Sequence, residues 1–405
     1  MSLPKNPQGT GDTPSVPKRE QAVDVLRGGV MIVMALDHVR EFLHAAPFNS
    51  LDLSQTNAAL FITRWISHFC APVFVFFAGM GAWLSTTRGK AVPHVARRLL
   101  TRGLWLVLLE FTIVHFGWFF YRYDVLVLQV IWAIGCSMVA LAGMVFLPTW
   151  LIVTTGVTLI AGQHLFDAVS FQDQGAVEWL WVIFVSGGEL DGTSSSWPLL
   201  PVDVFYPVLP WLGIMAIGYG FGQLWQWGNG RRRRYVLALG LGLTLIFVVL
   251  RATNIYGDKV PWSQQASPLF TVFSFMNCEK YPPSLLFVLM TLGPTLCALV
   301  YADRLPDIIA LPLATFGRVP LFFYLLHLPL IHVIALGIAY IQFGNFGPQF
   351  QDIAFFGPGA FAPNEGCNLP MIYFVWLSVV LLLYPVCRRF AELKRQKRAG
   401  WICFF

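Results

Sequence analysis

Residues 231–252 read RRRRYVLALGLGLTLIFVVLRA, four arginines followed by an uncharged run that ends at Arg251. A helix needs roughly 20 such residues to cross a hydrocarbon core about 30 Å thick. The arginines mark the cytoplasmic end of that helix, because basic residues stay on that side of a membrane. Runs of the same kind lie at 22–42, 60–84, 99–120, 125–146, 149–166, 205–225, 235–252, 283–302, 319–341 and 371–390. They predict an all-α integral membrane protein, a polytopic bundle of about 10 (10–11) transmembrane helices. The run at 176–187, with WLWVIFVSG, is too short to span and reads as interfacial or re-entrant, and 308–316 is also short.

Composition agrees with this reading. Of 405 residues, 56% are hydrophobic and 12% charged, against about 25% charged in soluble chains. Mean hydropathy is +0.63. The net charge of +6 would raise nucleic acid as a partner for a soluble chain. Here the basic residues stand in short clusters between apolar runs, so topology explains them and no nucleic acid is expected.

Alternating spans from a cytoplasmic N-terminus puts Arg88, Lys90, Arg97, Arg98 and Arg102 inside. Arg231 to Arg234, Arg304, Arg318, Arg388, Arg389, Lys394, Arg395, Lys397 and Arg398 follow on the same side. The expected outer segment 163–204 holds Asp167, Asp173, Glu178, Glu189, Asp191 and Asp203 with no Lys or Arg, and 342–370 holds Asp352 and Glu365. Both termini are therefore expected in the cytoplasm. The domain reading is a disordered cytoplasmic tail over 1–20, a transmembrane domain over 21–392 and a cytoplasmic tail over 393–405. The polar, Pro-, Gly- and Ser-rich start is not a cleavable signal peptide, and the first span serves as the anchor.

Ionisable groups inside spans are costly and need a reason. Span one carries Asp24, Arg27, Asp37 and His38; span two Arg64 and His68; span three Arg102, Glu110 and His115; span nine His327 and His332. At a rise of about 1.5 Å per residue, His38, His68, His115 and His332 share the outer half of the membrane. Asp24, Arg27, Arg97, Arg98 and Arg102 gather at the inner end. Two polar layers follow, one basic and cytoplasmic, the other rich in histidine. Arginines at an inner mouth can hold the phosphates of a cytosolic activated donor. A histidine beside a carboxylate can take a proton from an acceptor hydroxyl or amine. Plainer roles compete with these: arginines as topology anchors, histidines as packed core residues, Asp24 and Arg27 as a pair on one helix face, and Glu110 as a helix-to-helix bond.

The stretch REQAVDVLRG, residues 19–28, resembles the opening of the membrane-bound acyltransferase superfamily, whose second Arg is followed eleven residues later by His, as Arg27 is by His38. CAPVFVFFAGMGAWLS resembles the Phe-rich second helix. RRLLTRGLWLVLLEF resembles the arginine motif of the third, with Arg98 and Arg102 one residue further apart than Arg-x-x-Arg and Arg97 in front. Within the superfamily the chain is similar to bacterial relatives of heparan-α-glucosaminide N-acetyltransferase, through VDVLRGGVMIVMALDHVREF, TRWISHFCAPVFVFFAG, EKYPPSLLFVLMTLGP and FGRVPLFFYLLHLPLIH.

That resemblance implies transfer of an acyl group from cytosolic acyl-coenzyme A, acetyl-coenzyme A in particular, to an extracytoplasmic sugar or glycan acceptor, in the inner membrane of a bacterium. It implies His38 as general base, oriented by Asp37 or another carboxylate. His68 is the other candidate for the essential His, since it falls where the glucosaminide enzyme has an Asp ahead of Pro. Arg27, Arg97, Arg98 and Arg102 would hold the nucleotide phosphates. Lys280, Tyr281 and His332 would serve the acceptor side, with Asp24 and Glu110 in support. A covalent acyl-histidine and direct transfer both stay open, as does a homodimer.

Two other classes compete. A proton-coupled transporter would use the same intramembrane His, Asp, Glu and Arg. A haem-binding electron carrier would use paired histidines. No metal site is expected, since neither a His-Glu-x-x-His nor a phosphate-binding Gly-rich loop is present. Cys278 and Cys367 both fall in expected outer segments, where a disulfide is permitted.

Overall fold

The computed structural model describes residues 18–45, 48–87, 89, 91–172, 174–190, 200–346 and 366–396. Its helices are α1 Lys18–Leu43, α2 Ala58–Thr87, α3 Val92–Phe119, α4 Val130–Met144, α5 Thr149–Phe166 and α6 Ala176–Ser186. They continue with α7 Val208–Phe221, α8 Asn229–Thr253, α9 Pro268–Met276, α10 Leu285–Ala302, α11 Asp307–Arg318, α12 Pro320–Phe343 and α13 Leu369–Arg395. Side chains set several starts: Asn57, Ser284 and Asn368 accept from the backbone N–H three residues on, which satisfies a donor the helix leaves open.

Among the described residues seven helices are long and apolar enough to cross a membrane: α2, α3, α5, α8, α10, α12 and α13. This is fewer than the ten spans expected. The expected spans at 22–42, 125–146 and 205–225 do form helices, but α1 carries many charges and α4 and α7 are short. The run at 176–187 is the short helix α6, and 308–316 lies within α11. The first helix opens at Lys18, inside the stretch read as tail, and α13 continues to Arg395. Residues 1–17 and 397–405, with Arg88, Lys90, Asp173, Asp191, Asp352 and Glu365, lie outside the described residues.

α1 runs through the bundle against α2, α10, α11, α12 and α13. α7 is enclosed by α2, α4 and α5, and Trp211, Ile214, Met215 and Ala216 on it are fully buried. The crossing of α2 and α7 is backbone-close. Gly79 and Gly218 let α2 and α7 approach until an added Cβ would stand 1.9 Å from Met215 O and 2.1 Å from Phe76 O. Only residues without a side chain permit this. A small sheet packs on α6. β1 Leu126–Leu128 pairs parallel with β3 Val202–Val204, which pairs antiparallel with β2 Gly188–Leu190. Cys278 and Cys367 are separate buried free thiols, so the disulfide is not formed. Cys367 instead ties the end of α1 to the start of α13 through its backbone, its N–H donating to Leu43 O at 2.6 Å.

Candidate active site

Arg98 and Arg102 are one turn apart on α3 and so share a face. That face, with Arg27 of α1, lines a cavity of about 320 Å³ between α1, α2, α3, α4 and α12. Met31, Met34, Leu99, Leu106, Ile131 and Met138 form apolar walls, and Tyr324 of α12 also lines it. Arg27 Nη2 donates to Phe77 O at 2.8 Å, and its guanidinium lies over the Phe77 ring. Arg102 Nε is buried and has no hydrogen-bond partner among the described residues. The charges of Arg27 and Arg98 both act on Arg102. Such a cluster calls for an anion, since a buried donor without a partner is costly. Arg97 is exposed on another face of α3 and does not line the cavity. Asp24 meets Arg318 of α11 at 3.6 Å.

Tyr324 joins this cavity to a histidine pair. Its ring packs edge-on against His38, with centroids 6.0 Å apart, and against His327, at 5.4 Å. His38 Nδ1 lies 2.7 Å from His327 Nε2, and His327 Nδ1 donates to Phe323 O at 2.9 Å. Trp118 of α3 closes another side of the His38 ring at 5.0 Å. The carboxylate expected to orient His38 is engaged elsewhere. Asp37 accepts from Arg64 Nη1 at 2.9 Å and from Arg40 Nε and Nη2 at 3.2 and 3.1 Å. Arg64 also donates to Ser67 Oγ, and Arg40 to Ser50 Oγ and to Glu41.

His68, also buried, donates from Nδ1 to Trp65 O at 2.8 Å. Its electrostatic neighbours are Arg64, Lys280 and Asp37, so His68, Asp37 and Lys280 belong to one polar cluster. Lys280 is buried, with its ammonium 4.9 Å from the centre of the Tyr281 ring. The Tyr281 and Tyr206 hydroxyls are 3.5 Å apart. Burial pushes the Tyr281 phenol up, but Lys280 and Arg64 beside it outweigh that and hold its pKa below the ordinary value.

Two further sequence candidates, Glu110 and His332, bond to backbone groups. Glu110 sits where α3 widens into a π-helical turn over Glu110–Val114. Its oxygens accept from Gln129 N at 3.1 Å and Trp132 N at 2.9 Å, so it caps α4. His332 donates from Nδ1 to Gly117 O at 3.2 Å and stacks on Phe120 at 4.0 Å. It braces α12 against α3 and is not hydrogen-bonded to His38. His327, Tyr324 and Arg40 are at the site without having been singled out for it. Arg40 carried a readable signal, lying one turn from Asp37.

None of the curated proteins compared matches the chain. Residues 19–256 match the family model described as heparan-alpha-glucosaminide N-acetyltransferase, catalytic. The match takes in Arg27, Asp37, His38, Arg64, Arg98 and Arg102, and covers most of the chain; the protein belongs to this family of membrane acyltransferases.

Proposed function

We propose that the protein transfers an acyl group, acetyl in particular, from acyl-coenzyme A bound at the arginine end to a sugar or glycan acceptor at the Lys280 end. The membrane is the inner membrane of a bacterium, with the arginine end cytoplasmic. The observation that carries this reading is the single cavity in which Arg27, Arg98 and Arg102 share walls with Tyr324, itself packed on His38. Guanidiniums bind phosphate through paired charge-assisted bonds, and three of them suit the phosphates of coenzyme A. The apolar walls suit its uncharged arm.

His38, packed against Tyr324 of the cavity wall, acts as the general base on the acceptor. Tyr206, Lys280 and Tyr281 offer hydroxyl and ammonium groups for a polyol, and His68 borders the same cluster. Asp37 holds Arg40 and Arg64 in place and acts on His38 through charge. Family membership favours transfer over the proton-coupled transporter.

The test is calorimetry of acetyl-coenzyme A on purified protein, followed by acetyl transfer to amino sugars across reconstituted vesicles. Saturable binding, with transfer lost in His38→Ala, supports the reading. No binding of any short acyl-coenzyme A overturns it.

A further inference from the structure

The hydrogen bonds of the histidine pair settle where each proton sits. Phe323 O carries no hydrogen, so the bond at 2.9 Å needs a proton on His327 Nδ1. In the neutral ring, His327 Nε2 is then a lone pair. His38 Nδ1 lies 2.7 Å from that lone pair, so His38 carries its own proton on Nδ1. The lone pair of His38 is left on Nε2. His327 is fully buried in α12, and the two rings lie within 15° of parallel. His38 is only half-buried.

We propose that His327 is the positioning residue of His38, fixing its tautomer and sharing the proton it takes up, so that the two imidazoles act as one base. This deepens the acyltransferase reading and rests on it for the reaction, though not for the tautomers. As the acceptor oxygen or nitrogen bonds to the acyl carbon and the carbon–sulfur bond breaks, His38 Nε2 takes the acceptor's proton. The Nδ1 proton of His38 moves towards His327 Nε2, and Phe323 O steadies the resulting cation. The pair then returns one proton, to the departing thiolate. One proton leaves the acceptor and one reaches sulfur, with no redox change.

The pair does for His38 what a carboxylate does in a Ser-His-Asp arrangement, but without adding a fixed negative charge. The other groups facing His38 are the rings of Trp118 and Tyr324 and the charges of Asp37, Arg64 and Lys280. Asp37 is bonded to arginines and leaves Nδ1 of His38 to His327.

The test begins on the wild-type protein, labelled with 15N-histidine, where long-range proton–nitrogen correlations separate the two tautomers. Protons on Nδ1 of both His38 and His327 are expected, and a His38 protonated on Nε2 overturns the proposal. His327→Asn keeps an acceptor oxygen for His38 but cannot take a proton, whereas His327→Leu can do neither. With acetyl-coenzyme A binding unchanged as proof of folding, His327→Leu should lower kcat about 100-fold, in the range of general-base effects. The Asn variant should restore the His38 tautomer but leave the acid limb of the kcat–pH profile displaced to lower pH. A His327→Leu enzyme with wild-type kcat and pH profile overturns the proposal. Wild-type protein that shows the expected tautomers but transfers no acetyl group upholds the pair and removes the reaction assigned to it.

Discussion

Gly28 and Leu313 meet backbone to backbone where α1 crosses α11, so closely that a Cβ on Gly28 would stand 1.8 Å from the Leu313 carbonyl oxygen. Gly317 meets Asp24 O in the same way, also at 1.8 Å. Arg27 is the neighbour of Gly28, and His38 lies further along the same helix. The crossing therefore sets the rotation of α1 that points both side chains at the site.

Gly28→Ala should destabilise the protein by about 1–3 kcal/mol, the usual cost of overpacking, and weaken acetyl-coenzyme A binding with it. Gly29→Ala is the control, because nothing lies within 4 Å of a Cβ there. Thermal unfolding of the detergent-solubilised variants distinguishes them, and equal losses would show that the crossing is not the constraint.

Arg102→Ala should weaken acetyl-coenzyme A about 10- to 100-fold, the worth of a hydrogen bond to a charged group. Arg98→Ala should do so too, and Arg97→Ala should leave binding unchanged, since Arg97 lies off the cavity. Calorimetry of the three proteins side by side gives the answer.

Asp37→Asn should act on stability more than on chemistry. It leaves Arg40 and Arg64 facing one another without their shared carboxylate, and breaking a buried pair from one side costs about 3–5 kcal/mol. Replacing Arg64 by Met in the same chain should recover part of that loss. His38→Ala, by contrast, should retain the melting temperature within a few degrees and lose turnover.

Stability should also depend on pH through Asp203. Burial, with the charge of Glu189 across the sheet, pushes its carboxyl up to about 6. The folded state then holds this proton more tightly than the unfolded chain does. The contribution is present in full below the unfolded carboxylate range near 3.9 and is lost as pH rises through about 6. Asp203→Asn should flatten the stability curve in that window and raise neutral stability by up to about 1 kcal/mol after solvent screening. Melting temperatures taken from pH 4 to 7 measure it.

Apolar length and arginine position were readable along the chain because both are local. The runs around 235–252 and 283–302 became α8 and α10 for that reason. Depth along a helix axis also follows from counting, and it placed the arginines and histidines in separate layers. Rotation about the axis needs neighbours. Arg98 and Arg102 share a face by spacing alone, as an Arg-x-x-Arg pair also would. The partner of His38 is 289 residues away, and no local pattern prefers His327 over His332. The bonds of Glu110 to the backbone N–H groups of Gln129 and Trp132 could not be read from the sequence, because backbone partners leave no trace in residue type.

The enclosure of α7 bears on which substitutions the protein can absorb. α8 buries only Arg232, Val236, Gly240, Phe247 and Arg251, and its remaining apolar positions can exchange Leu, Ile, Val and Phe freely. α7 is also apolar in composition, yet nearly every position from Pro210 to Phe221 faces protein, where a volume change of one methylene is felt. Two apolar stretches thus obey different rules of variation: one needs only to be apolar, and the other must keep its shape residue by residue.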